Sequence, residues 1–150
     1  MTANAIGVSE ILLQPPGHRC PSQPYRLILR SRRVTPFMPL IFKICPENLW
    51  RAAEDAGAFA GSPIDRADGF IHFSTAAQAA ETAARHFSGQ ADLVLVAVEA
   101  EALGDALRYE PSRGGALFPH LYGPLPLSAV RWVKPLRLGP DGRHRFPELA

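Results

Sequence analysis

The 150-residue chain has only two cysteines, Cys20 and Cys45, and no C-x-x-C spacing. They suit a reducing compartment better than a disulfide framework, and a cytoplasmic setting is the expectation. Long apolar runs are missing too. The most apolar stretch, Leu93 to Val98, falls far short of the about 20 residues that span a bilayer, so no membrane partner is expected. The chain does not open with a basic segment, an apolar run and a small-residue cleavage site, so no secretory leader is expected. No Walker loop, G-x-G-x-x-G or G-x-S-x-G motif occurs, which removes the common phosphate-loop, dinucleotide-fold and esterase signatures.

An excess of one charge is also lacking where it would matter. The formal charge is +2, but residues 1–37 hold five arginines against one glutamate. The remainder holds 11 basic and 13 acidic residues. The basic character thus belongs to the leading segment, and the rest has no positive excess with which to hold nucleic acid. Hydrophobic residues make up 47% and charged residues 20%, enough for one packed domain of ordinary size.

Residues 1–37 contain Pro15, Pro16, Pro21, Pro24 and Pro36 and no helical or strand period. They are expected to be a disordered or mis-started extension, with Met38 as the natural start and 38–150 as a single α+β domain. Leu40 to Ile44 reads as a strand. A helix is predicted over 46–56, with Pro46 at its first position and Leu49, Trp50, Ala53 and Ala56 on one face. Residues 57–68 read as a loop, and Gly69 to Phe73 as a short strand. The T-x-x-Q box of Thr75 and Gln78 opens an alanine-rich helix to about Phe87. Strands are predicted over 92–98, 106–110 and 130–138, with an extended segment over 118–122 and a turn at 123–126. The fold class is therefore α+β, a small mixed but mainly antiparallel sheet with two main helices.

Three stretches carry chemistry. His72 sits between Phe70, Ile71 and Phe73 and just before a helix start, with Ser74 and Thr75 at the same edge. A phosphate held on the free N–H groups of that helix is one reading; a core histidine above a simple cap is the other. His120 and Tyr122 alternate on one side of an extended segment before Gly123, either lining a ligand or anchoring a proline-rich turn. Glu110 ends a strand ahead of the Gly-rich loop that holds Arg113. It suits general-base work or a ribose hydroxyl, or else a surface ion pair. His72, His120 and Glu110 would form a His₂Glu zinc set. With no H-E-x-x-H or H-x-H spacing, no metal is expected. A Cys–His hydrolase built on Cys45 lacks a visible partner.

Taken together, the order IFKI, W, DGFIHFST, Q, LVLVAVE, LRYE and FPHLYGPL over roughly residues 39–136 resembles the bacterial family catalogued as domain of unknown function 952. That family is in turn similar to the ADP-ribosyltransferase-like superfamily, whose members use NAD or related ADP-ribose compounds. The resemblance implies an ADP-ribosyltransferase-like fold and NAD or a related nucleotide as substrate. Lys43 would take the first-strand ligand position, where many relatives have histidine. His72 and Ser74 would line the second strand, with Thr75 and Arg113 as further binding groups. Glu110 would be the late acidic residue that steadies an oxocarbenium-like centre as nicotinamide leaves. His120 and Tyr122 would line the nicotinamide or acceptor side. The expectation is transfer or hydrolysis at the anomeric carbon, catalysed by Glu110, His72 and His120. The alternatives are a non-catalytic nucleotide or phosphometabolite binding module, or a His/Glu metal-dependent hydrolase.

Overall fold

A computed structural model describes residues 39–149; the expectations for residues 1–37 and Met38 lie outside the described residues. Strand β1 (Leu40–Pro46) leads into helix α1 (Glu47–Ala56), strand β2 (Ala58–Phe59), helix α2 (Pro63–Asp68), strand β3 (Ile71–His72) and helix α3 (Ala76–His86). Strands β4 (Leu93–Glu99), β5 (Leu107–Pro111), β6 (Leu117–Leu121), β7 (Leu125–Pro126), β8 (Val130–Leu138) and β9 (His144–Arg145) follow, joined by short 3-10 turns. The strands form sheets of order β1-β4-β8-β9, β3-β6-β5 and β2-β7. Every one of these pairings is antiparallel.

The continuous apolar run becomes β4 because that strand is covered on both faces. Side chains alternate across a strand. Val94, Val96 and Val98 enter one cluster with Trp50, Phe59, Ile71 and Leu121. Leu93, Leu95 and Ala97 enter a second with Phe42, Ile44 and the small Ala79 and Ala83 of α3. The closing segment adds β9 along β8, with Phe146 and Leu149 against the second cluster.

The edge of β1 holds the key to the site. Phe42 and Ser74 exchange backbone hydrogen bonds, with Phe42 N–H donating to Ser74 O at 2.8 Å and Ser74 N–H donating to Phe42 O at 2.9 Å. This bridge lays the His72–Ser74 segment beside β1 and so joins the first sheet to β3-β6-β5.

Two sequence expectations are corrected here. Residues 57–68 are not a plain loop, since β2 and α2 lie within them. Ser62 caps α2, its Oγ accepting from the Asp65 N–H at 3.5 Å while Asp65 Oδ2 accepts from the Ser62 N–H at 2.7 Å, and Pro63 occupies the first helical position. The strand expected over 69–73 shrinks to Ile71–His72, because Gly69 takes φ 84° to end α2, a conformation that costs glycine little. Ser62→Ala is expected to cost about 1 kcal/mol, the usual value of an N-cap. It should be read as a lower urea midpoint with an unchanged slope.

Candidate functional site

Asp65, 1% exposed, is the centre of a buried polar network. Lys43, itself 5% exposed on the core side of β1, places Nζ 2.8 Å from Oδ1 and 2.7 Å from Oδ2. Ser62 Oγ donates to Oδ2 at 2.7 Å. The His72 N–H donates to Oδ1 at 3.0 Å, and His72 Nδ1 lies 2.7 Å from the same oxygen. On its other side, His72 Nε2 lies 3.1 Å from Asp68 Oδ2. Both imidazole contacts are hydrogen bonds only when both ring nitrogens carry protons.

Burial pushes the Asp65 carboxyl up, but hydrogen bonding to His72, the Lys43 charge and the Ser62 contact together hold it far below the usual carboxylate range. Burial conversely lowers the Lys43 ammonium, against the raising effect of Asp65. A carboxylate whose folded value is depressed contributes stability above its unfolded value and loses it as pH falls through the folded one. The domain is therefore expected to lose stability on acidification below about pH 4, the unfolded aspartate range. Asp65→Asn should flatten that acid limb in urea unfolding at a series of pH values.

The second group hangs from β6. Its register sets His120 opposite His72 on β3 and Arg108 on β5, with Glu110 next to Phe118. His120 Nδ1 lies 2.8 Å from Glu110 Oε2, and the Tyr122 hydroxyl donates to the same carboxylate at 2.9 Å. The bonds to His120 and Tyr122 hold the Glu110 carboxyl below its usual value; the bond to Glu110 raises the Tyr122 phenol. Phe70 stacks on His120 with ring centroids 4.2 Å apart, and the His72 and His120 rings meet edge to face at 5.4 Å. Arg108 covers the outer face of Tyr122 at 4.7 Å.

A cavity of about 590 Å³ opens between β1, α2, the His72–Ser74 segment and the far end of α3. Lys43, His72, Ser74 and His120 all line it, so four of the residues singled out in the sequence come together. Ser74 Oγ donates to Thr82 Oγ1 at 2.9 Å along the same wall. Glu110 does not line the cavity; it meets Nδ1 of His120, which does. Tyr122 is also outside the lining and is 38% exposed. Thr75 is likewise outside the lining, and its N–H is taken by Gln78 Oε1 at 3.0 Å. Arg113 opens a 3-10 turn directly after Ser112, which lines the cavity. Cys45 is buried, and desolvation pushes its thiol to about 12, so it supplies no nucleophile. Among the described residues no three His, Cys, Asp or Glu side chains come together to hold a metal ion.

The sequence reading missed Asp65 and Asp68. The signal for Asp65 was present, since Ser62-Pro63-Ile64-Asp65 is a capping box with proline at the first helical position.

Among the described residues no helix is long and apolar enough to cross a membrane. The family model described as "Protein of unknown function (DUF952)" matches residues 44–133. The X-ray crystal structure of protein CC0527 from Caulobacter crescentus, a structural-genomics target, is 56% identical with a TM-score of 0.69, over 71% of this chain and 93% of that one. The solution NMR structure of CC0527 is 57% identical with a TM-score of 0.64, over 69% and 90%. No curated protein matches.

Proposed function

We propose that this chain, which belongs to the family described as Protein of unknown function (DUF952), is an enzyme that cleaves NAD or a related ADP-ribose compound at its anomeric carbon. The observation that carries the reading is the pair of carboxylate-oriented imidazoles, His120 on Glu110 and His72 on Asp65, with ring centroids 5.4 Å apart on one cavity.

A carboxylate at Nδ1 fixes the tautomer and orientation of an imidazole and leaves Nε2 to take a proton. His120 fits that role, for it lines the cavity and its Nδ1 is engaged by Glu110. Water, or an acceptor hydroxyl, attacks the anomeric carbon while His120 Nε2 takes its proton. The bond from that carbon to the nicotinamide nitrogen breaks, and its electron pair stays on the ring. The ring leaves neutral and needs no acid. His72, with Asp65 at Nδ1 and Asp68 at Nε2, has both ring nitrogens engaged and is not assigned the role of base. The choice of NAD over other ligands rests on the superfamily resemblance, and fold alone does not fix function.

The test is incubation of the purified protein with NAD and with ADP-ribose compounds, with chromatographic detection of nicotinamide and free ADP-ribose, beside thermal melting with the same compounds. The expected result is a concentration-dependent rise in melting temperature together with nicotinamide release. Absence of both overturns the proposal. A binding module keeps the same cavity, and a raised melting temperature without product on long incubation is its signature.

A further inference from the structure

We propose that Phe70 is a positioning residue for His120: its phenyl face holds the plane of the imidazole and supports the positive charge that ring gains on taking a proton. This rests on the reading of His120 as the base, and it gives a part to a residue outside the cavity lining.

The local chain sets Phe70 in place. Gly69 ends α2 at φ 84°, and the Gly69 and Phe70 N–H groups both donate to Asp65 O, at 2.9 and 3.1 Å. Asp65 thus anchors Phe70 through its backbone and His72 through its carboxylate. The β3–β6 register sets Ile71 opposite Leu121 and His72 opposite His120. Continued back one step, it brings Phe70 across from Tyr122 and diagonal to His120, within reach of an aromatic side chain. The Phe70 ring lies 4.2 Å from His120 at 26°, 4.7 Å from His72 at 52° and 5.3 Å from Tyr122 at 44°.

These contacts act on His120 in two ways. Glu110 meets it at Nδ1 and sets its direction within the ring plane; a phenyl stacked on the face limits tilt out of that plane. The face is also the negative side of the phenyl quadrupole, so the stack favours the protonated imidazole over the neutral one. The titratable groups around His120 are Glu110 on β5, which favours the same form, and Arg108 on β5, opposite it in register, which disfavours it. Tyr122 shares Glu110, and His72 on β3 brings the α2 carboxylates Asp65 and Asp68. Replacing Phe70 alters the charge of none of them.

The experiment is a pH titration of the His120 ring by nitrogen-15 NMR, without ligand. It compares the wild type, Phe70→Leu, Phe70→Tyr and a chain carrying pentafluorophenylalanine at position 70, which keeps the ring shape and reverses the potential of its face. Phe70→Leu and the fluorinated ring should each lower the midpoint by about half a pH unit, the worth of a modest cation–π contact, while Phe70→Tyr keeps it. On NAD, Phe70→Leu should lower kcat roughly fivefold with KM unchanged, because Phe70 does not line the cavity. A midpoint that stays in place in the fluorinated protein overturns the inference, whatever Phe70→Leu does. A midpoint that falls in a protein releasing no nicotinamide leaves the action of Phe70 on His120 standing and removes NAD as the substrate.

Discussion

Asp65→Asn is expected to destabilise the domain by roughly 3–5 kcal/mol, the range for breaking a buried ion pair from one side. The change is nearly isosteric, so no cavity explains the loss. It strands the Lys43 ammonium, which is 5% exposed and has Asp65 as its partner, and it sets an amide among groups arranged to donate to a carboxylate. The companion variant separates charge from shape. Lys43→Met combined with Asp65→Asn removes both charges, and the share of the loss due to the stranded ammonium should return, while the misfit of the amide among the Ser62 and His72 donors remains. Urea unfolding of the wild type, both single variants and the double variant measures the coupling directly. Additive losses would show that Lys43 and Asp65 do not depend on each other.

The second large effect falls on turnover. His120→Gln is expected to lower kcat by about 10²- to 10⁴-fold, the usual worth of a positioned general base, with the fold intact. Glu110→Gln should also lower kcat while leaving KM near the wild-type value. Glu110 meets the imidazole at 2.8 Å and does not line the cavity, so in the proposed reaction its part is to position His120. Its partly exposed position predicts little loss of stability. A variant that raises KM and leaves kcat alone would place Glu110 in ligand binding instead. Steady-state kinetics on NAD, with melting curves as the fold control, decide between the two.

The sequence was informative where local pattern and tertiary placement agree. The alternation of His120 on β6 and Tyr122 just after it brings both side chains to Glu110 of the paired β5, and the T-x-x-Q box starts α3 where expected. The unbroken run of β4 reads as a buried strand because each of its faces meets a separate cluster. What escaped was set by tertiary contact. The family resemblance implies a ligand role for Lys43, and only the fold reveals that its ammonium meets Asp65, 22 positions on. Asp65 was hidden in a segment rich in Gly, Pro and Asp, where turn chemistry masks a helix of six residues. Glu110 was rightly grouped with His120, yet period-2 spacing cannot say which member of the pair faces the cavity.

The proposed chemistry requires His72 and His120 to face one bound ligand. Nitrogen-15 NMR of the histidine rings during titration with NAD tests this directly. Both rings should shift together along one saturation curve, with Glu110→Gln altering the His120 response. If NAD saturates the protein while both rings stay still, the ligand sits elsewhere and the proposed chemistry has no site.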